Sequence, residues 1–140
     1  MRAFDTDILT QILRGNPAFA ERVAQIPVAE QSLPIVAAEE ILRGRFNTIR
    51  QAEAGKAKIS IEQAYHFFQQ TLLDIRELTL LSYSSQADAQ YQSWRSRKLR
   101  GSTHDLRIAA ICIAHSVTLV TRNRRDFEHI PGLSVEFWDF

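Results

Sequence analysis

The chain has 140 residues, 45% hydrophobic and 24% charged, with a formal net charge of +1. This length and composition predict one domain, residues 1–140, and the near-neutral charge gives no bulk argument for nucleic-acid binding. No apolar stretch approaches the roughly 20 residues of a membrane span, so we expect a cytoplasmic protein without membrane association. The single cysteine, Cys112, excludes an intrachain disulfide and should be buried among its apolar neighbours.

The pattern of apolar residues predicts short strands that alternate with helices. A first strand, "RAF", precedes the helices "DILTQILRG" and "PAFAERVAQI" and the strand "SLPIV". Two longer helices, "AAEEILRGRFNTIRQAEAG" and "SIEQAYHFFQQTLLDIRE", lead to the strand "LTLLSY". The helices "SQADAQYQSWRSRKLR" and "STHDLRIAAICIAHS" follow on either side of Gly101, and the chain ends with the strand "VTLVT", a short helix in "RRDFEHI" and the strand "LSVEFWDF".

Strands separated by helices predict right-handed crossovers and an α/β fold with a mostly parallel sheet covered on both faces. In such sheets ligands bind beyond the carboxyl ends of the strands. Acids follow three predicted strands: Asp5 the first, Glu39 and Glu40 the second, and Asp126 the strand "VTLVT". Asp105 instead begins the helix "IAAICIA". Four separate segments could therefore bring carboxylates to one edge of the sheet.

Each acid also has a purely structural interpretation, because Asp and Glu in the first turn of a helix favour its dipole and can cap it. Asp5 could cap the first helix with Asp7 in its first turn, and "STHD" and "NRRD" have the spacing of a capping box. A cluster of carboxylates needs a cation, since like charges raise one another's pKa values. Oxygen ligands suit Mg²⁺ or Mn²⁺, which can position water for phosphoryl displacement.

Helical geometry distinguishes some acids from their neighbours. Asp105 shares a face with Ile108 and Cys112, which should be buried, and a mere cap has no need to point toward the core. Glu39 and Glu40 point about 100° apart around a helix. We assign Glu40 to the site and Glu39 to solvent.

Charge is distributed unevenly along this near-neutral chain. Between residues 91 and 125 there are eight basic residues and one acid. Such a segment is either a solvated set of helix faces or a surface that holds phosphates. Tyr91 and Trp94 in the same segment could stack on bases, but we expect them to pack against neighbouring helices.

In order and spacing, "FDTDIL", "EEILRGR", "THDLRIAA" and "LVTRNRRDFEHIPGL" resemble the PIN-domain ribonucleases, most closely the VapC-type toxins of bacterial toxin-antitoxin pairs. The resemblance extends over nearly the whole chain. It departs from the family at Asp7, where asparagine is usual, in the less apolar "RAF", and in "RGSTHD", which replaces a longer loop. The positions that match the four family acids are Asp5, Glu40, Asp105 and Asp126, and those that match polar residues near the metal are Thr6, Thr121 and Asn123.

The resemblance implies a PIN-like three-layer fold with a five-stranded sheet, a homodimer, and a cognate VapB-type antitoxin. It implies an endoribonuclease that depends on Mg²⁺, with Mn²⁺ as the alternative, and whose four acids hold the metal and activate water. Thr6, Asp7, Thr121 and Asn123 would support them, and whether Asn123 or Asp126 is the main fourth site residue stays open. The residues we expect to bind RNA phosphates are Arg95, Arg97, Lys98, Arg100, Arg122 and Arg124.

Other functions fit the sequence less well. A non-catalytic PIN-like module that binds RNA or protein, with the acids serving only as caps, is the main alternative. "DTDIL" also resembles the opening of haloacid-dehalogenase-like phosphatases, but the later lysine and paired acids of that class are missing. There is no glycine-rich phosphate loop, and no two of the four histidines, His66, His104, His115 and His129, have zinc-helix spacing.

Overall fold

The computed structural model describes residues 1–140 and contains five strands and seven α-helices. The helical layers hold α1 (Thr6–Leu13), α2 (Pro17–Val23), α3 (Ile35–Glu53), α4 (Ile61–Arg76), α5 (Ser85–Ser96), α6 (Thr103–Ala114) and α7 (Arg124–Phe127). The sheet consists of β1 (Arg2–Phe4), β2 (Gln31–Pro34), β3 (Thr79–Leu81), β4 (Thr118–Thr121) and β5 (Val135–Phe137), with a 3₁₀ turn at Val28–Glu30 before β2. The predicted PIN-like α/β architecture is confirmed.

All five strands are parallel and lie in the order β3-β2-β1-β4-β5. The first strand is therefore central, with Ala3 paired to Ser32 of β2 on one side and to Leu119 of β4 on the other. The carboxyl ends of β1, β2 and β4 consequently lie side by side. Because β1 joins both neighbours, the residues that follow these three strands converge at one edge of the sheet.

Several predicted elements are shorter in the structure, among them α5, which ends at Ser96 and not at Arg100, and β5, which ends at Phe137. The boundary at the strand "SLPIV" is also wrong. The strand β2 ends at Pro34, and Ile35 and Val36 belong to the first turn of α3. Proline has no N–H to continue the strand ladder, and its fixed φ suits the residue before a helix. The helix α3 therefore starts two residues earlier than expected and carries Glu40 in its second turn, so no acid lies in its first turn.

The core is built around the sheet and the middle of helix α6, which is buried from Ile108 to Cys112. Ile108 and Cys112 are completely buried, as predicted from the apolar run around them. Tyr91 and Trp94 are also buried, at 1% and 2% exposure, which confirms that they pack inside the protein and leaves no ring face for a base. None of the helices is both long enough and apolar enough to span a membrane.

Candidate active site

Asp5 is fixed at the point where β1 ends and α1 begins. It is the N-cap of α1: its Oδ1 accepts a 2.8 Å hydrogen bond from the backbone N–H of Thr6. Its Oδ2 accepts a second 2.8 Å bond from Oγ1 of Thr121, the last residue of β4. The hydroxyl of Thr121 also accepts the N–H of Asn123. Asp5 is thus a cap and, at the same time, part of a buried polar junction between two strands.

The surroundings of Asp5 disfavour its ionised form. Asp5 is only 8% exposed, and burial raises its pKa from 3.8 to about 6. The hydrogen bonds from Thr121 and Thr6 lower the pKa, while the charges of Asp105 and Glu40 raise it. Two other carboxylates are therefore close enough to repel Asp5, which is the arrangement that a bound cation would relieve.

Glu40 reaches the same place from α3. It is half-buried, and its Oε1 accepts a 3.1 Å hydrogen bond from Oγ1 of Thr6. Its neighbour Glu39 is exposed and pairs with Arg43 at 2.7 Å. His104 lies between these two glutamates, with Nε2 3.5 Å from Glu39 and Nδ1 3.9 Å from Glu40. Thr6 therefore links the first and second acids, and His104 adds a neighbour that the sequence analysis did not assign to the site.

Asp105 enters from the first turn of α6. Ser102 caps this helix by accepting the N–H of Asp105 at 3.1 Å, as the capping-box spacing predicted. Burial raises the pKa of Asp105, the hydrogen bond with Ser102 lowers it, and the charges of Asp126 and Glu40 raise it again. A direct contact with the carboxyl of Asp126 also raises this pKa. Two carboxyl groups in contact need a shared proton or a cation.

Asp126 is held by the short helix α7. Asn123 is the N-cap of this helix: its Oδ1 accepts the N–H of Asp126 at 3.2 Å, and its Nδ2 donates to Oδ2 of Asp126. Asp126 contacts Asp105 and is connected to the other acids through it. The four predicted acids are thus brought together: Asp5, Glu40 and Asp105 influence one another directly, and Asp126 is attached through Asp105.

The oxygen donor atoms of these four acids are of the type that a hard metal ion binds. Carboxylate oxygens, held by hydroxyl and amide groups, are the ligands that Mg²⁺ and Mn²⁺ prefer. No group of three or more His, Cys, Asp or Glu side chains lies in an arrangement that could hold a metal ion. The acids supply the donor type that a hard cation takes, and an ion bound at this edge would keep part of its hydration shell, as Mg²⁺ usually does.

The basic residues predicted to bind RNA are all exposed, but they differ in their distance from the acids. Arg122 follows β4 directly and pairs with Asp7 at 3.7 Å, beside the cluster. Arg124 pairs with Asp139 at 2.7 Å, and Arg100 contacts the backbone oxygen of Arg125 at 3.4 Å. The remaining members end α5 or follow it: Arg95, Arg97 and Lys98.

Arg107, which was counted within the basic segment, does not belong to this surface. Its guanidinium packs 5.7 Å from the ring centroid of Tyr83 and 4.8 Å from that of Tyr91. Its Nε is buried without a hydrogen-bond partner. The basic surface is accordingly smaller by one charge than the sequence suggested, because a long side chain on a mostly buried helix is drawn into aromatic packing.

Fold and site together describe a parallel α/β domain with an acidic site beyond the carboxyl ends of its central strands. The sequence matches the PIN domain family over residues 3–133, and the chain belongs to this family. Ribonuclease VapC2 of Rickettsia felis is 36% identical over 76 residues. That stretch spans 50% of this chain and 57% of the relative, so the chain matches little more than half of that protein.

Solved structures share the fold over almost the full length. VapBC2 from Rickettsia felis, bound to a promoter DNA fragment, has a TM-score of 0.73 at 22% identity and covers 99% of this chain and 98% of its own. FitAcB from Neisseria gonorrhoeae has a TM-score of 0.77 at 17% identity and covers 96% of each chain. VapBC-1 from nontypeable Haemophilus influenzae has a TM-score of 0.75 at 20% identity and covers 99% and 98%.

Proposed function

We propose that the protein is a metal-dependent endoribonuclease, the toxin of a type II toxin-antitoxin pair, which hydrolyses phosphodiester bonds of RNA. The observation that carries the proposal is the convergence of Asp5, Glu40 and Asp105 from three separate segments at one sheet edge, with raised pKa values for both aspartates. The relative named as a ribonuclease and the PIN domain match support the same activity. Transfer RNA or another structured RNA would be the substrate.

Within this proposal the acids hold the metal and the polar residues hold the acids. Asp5, Glu40, Asp105 and Asp126 would bind Mg²⁺, with Mn²⁺ as the alternative, and the ion would acidify water and stabilise charge on the phosphate. Thr121 and Thr6 orient Asp5 and Glu40 by hydrogen bonds of 2.8 and 3.1 Å. The side chain of Asn123 holds Asp126 by two hydrogen bonds, one to its backbone N–H and one to its carboxylate. Asp7 occupies the first turn of α1 and pairs with Arg122, outside the ligand group.

Phosphates of the substrate would be held by the exposed basic residues around the cluster. Arg122 is the nearest of them, because it follows β4 at the same edge as the acids and pairs with Asp7. The others would contact more distant phosphates: Arg95, Arg97, Lys98, Arg100 and Arg124.

The protein would act together with a VapB-type antitoxin and as a homodimer. Several solved structures of the same fold are toxin-antitoxin complexes. Large apolar side chains of α4 are exposed here, among them Tyr65, Phe67 and Leu72 at 52%, 42% and 45%. Apolar side chains exposed in such number suit a protein partner. Light scattering of the purified chain tests the dimer, and co-purification with the product of an adjacent gene tests the antitoxin.

The activity is tested by incubating the purified protein with a mixed pool of transfer RNA in Mg²⁺, in Mn²⁺ and in chelator. Cutting that requires a divalent ion and disappears in Asp105→Asn would support the proposal. A folded protein that binds RNA without cutting in either ion would favour the alternative, a non-catalytic PIN-like binding module. The observation behind this alternative is that the acids also serve the fold, since Asp5 is itself the cap of α1.

A further inference from the structure

One face of α3 forms a polar groove that begins at the acidic cluster and continues away from it. The groove has a volume of about 450 Å³, and no hydrophobic residue lines it. Glu40 belongs both to the groove and to the cluster, so the two are continuous. Positions 40, 43, 44, 47 and 50 of α3 share one helix face, opposite the first turn of α6. The lining residues are Glu40, Arg43, Gly44, Asn47, Arg50 and His104.

Gly44 in the middle of this groove is not explained by packing within the protein. It lies inside the 19-residue helix α3, where glycine is less favourable than any residue except proline. A Cβ atom added at Gly44 would meet no atom within 4 Å, so no neighbour requires a bare backbone there. Glycine also permits close approach of a ligand to a backbone. An open groove above Gly44 is compatible with such a ligand.

The charge and polarity of the groove indicate the class of ligand. Arg43 and Arg50 supply two exposed guanidinium groups, of which that of Arg43 also pairs with the exposed Glu39 at 2.7 Å. Asn47 lies between the two arginines on the same face. The two arginines are seven residues apart, about 10 Å along the helix axis, so they would contact different phosphates of one strand. Arginine recognises phosphate oxygens with paired N–H donors. A groove without apolar lining suits such a polyanion better than the apolar face of a protein helix.

We propose that this α3 groove binds the RNA strand next to the scissile phosphate, with Arg43 and Arg50 each holding one backbone phosphate and Gly44 allowing the strand to lie against the helix. The inference rests on the proposed function in taking RNA as the substrate. It assigns phosphate contacts to α3, in addition to those at Arg122 and in the α5 region. His104 lines the groove and lies 3.5 Å from Glu39 and 3.9 Å from Glu40.

The test measures RNA binding without cleavage, in an Asp5→Asn background with Mg²⁺ present. The probe is a fluorescein-labelled single-stranded 12-nucleotide RNA of mixed sequence, titrated at several salt concentrations. Arg43→Gln/Arg50→Gln should lower the slope of log affinity against log salt by about 1.4 and weaken binding about 20-fold at 0.1 M salt, since each lost phosphate contact removes about 0.7 of the slope. The matched control, Arg14→Gln/Arg76→Gln, removes two exposed arginines outside the groove and should leave the slope unchanged.

A second pair of variants separates a steric role of Gly44 from a structural one. Gly44→Ala and Gly44→Leu both add a better helix former at a position with free space, so both should raise the thermal midpoint. Gly44→Leu should nevertheless weaken RNA binding at least about fivefold, because its side chain projects into the groove, and Gly44→Ala should weaken it less. If the groove has no role in RNA binding, both variants should have a higher thermal midpoint and an unchanged affinity for RNA.

The outcomes separate this inference from the proposed activity. If the wild-type protein does not cut RNA but the α3 variants weaken RNA binding, the groove proposal is supported and the nuclease proposal fails. If the wild-type protein cuts RNA but binding and salt slope are unchanged in the α3 variants, the groove proposal is overturned and the activity stands. Absence of any RNA binding in the Asp5→Asn background, or an effect of the variants only on the association of protein chains, would also overturn it.

Discussion

Oγ1 of Thr121 donates a 2.8 Å hydrogen bond to Oδ2 of Asp5, so the end of β4 holds the carboxylate that follows β1. Both residues are buried, at 0% and 8% exposure. The bond favours the ionised carboxylate against the effect of burial. The neighbouring strand thus favours the ionised form of Asp5 in a place where burial favours the protonated form.

Thr121→Val should remove this bond while keeping the shape of the side chain. We expect the free energy of unfolding to fall by about 1–3 kcal/mol at pH 7.5, because a buried carboxylate oxygen loses its donor. Thr121→Ser, which keeps the hydroxyl, should lose only the contribution of a methyl group. Urea denaturation at pH 7.5 and pH 4.5 tests the explanation: the loss in Thr121→Val should shrink at the lower pH, where Asp5 is protonated, and a loss equal at both values would contradict it.

Asp5→Asn should stabilise the metal-free protein at neutral pH. The pKa of Asp5 lies near 6 in the folded protein against 3.8 when unfolded, so the folded state binds the proton more tightly. Stability from this group is therefore fully present below pH 3.8 and is lost as the pH rises through about 6, a loss of about 3 kcal/mol. Asparagine also caps helices well. In chelator the variant should melt higher than the wild type at pH 7.5, with the difference disappearing toward pH 4; a lower midpoint at pH 7.5 would contradict the account.

Mg²⁺ should stabilise the wild-type protein by relieving the repulsion among the acids. At a concentration ten times the dissociation constant, a single bound ion adds about 1.4 kcal/mol, which corresponds to a rise of about 4 °C in the thermal midpoint of a domain of this size. Asp105→Asn should respond much less to the ion. Differential scanning fluorimetry over a Mg²⁺ titration measures both, and an equal shift in the two proteins would place the ion elsewhere.

Gly101→Ala should disturb the segment that presents Asp105. Gly101 has φ of +149°, and a Cβ atom there would lie 2.9 Å from Cδ2 of Leu106, which is buried in the core. We expect a loss of about 2 kcal/mol or more, from backbone strain together with the steric clash. Gly15→Ala is the control: Gly15 also has positive φ, at +73°, but an added Cβ meets nothing within 4 Å. Equal losses in the two variants would show that the clash with Leu106 has no effect.

The sequence predicted the central part of the site because strand ends and helix starts carry it. Once β1 and β4 are recognised as parallel strands, the residues that follow them must meet at one edge, and this brings Asp5 toward the segment of Asp126. Asp105 was placed by helical periodicity, since the buried residue Ile108 is one turn away on the same face. These inferences depend only on local pattern and topology.

Other features depend on tertiary packing and were not predictable. The position of His104 between Glu39 and Glu40 results from how α6 lies against α3. The one signal in the sequence was its place next to Asp105. The inward packing of Arg107 on Tyr83 and Tyr91 likewise depends on the contact between α5 and α6. The early start of α3 was missed because Ile35 and Val36 extend an apolar run that is also typical of a strand.

The central claim is that Asp5 holds the metal ion used in RNA hydrolysis whereas Asp7, two residues away and exposed, does not. The most direct measurement is the rate of cleavage of a mixed transfer RNA pool in Mg²⁺ and in chelator, for the wild type, Asp5→Asn and Asp7→Asn, with each fold verified by circular dichroism. The account predicts Mg²⁺-dependent cutting that falls at least about 100-fold in Asp5→Asn and stays within about threefold of the wild type in Asp7→Asn, whose carboxylate forms only an exposed ion pair with Arg122. Equal losses in both variants, or cutting that persists in Asp5→Asn or in chelator, would contradict it.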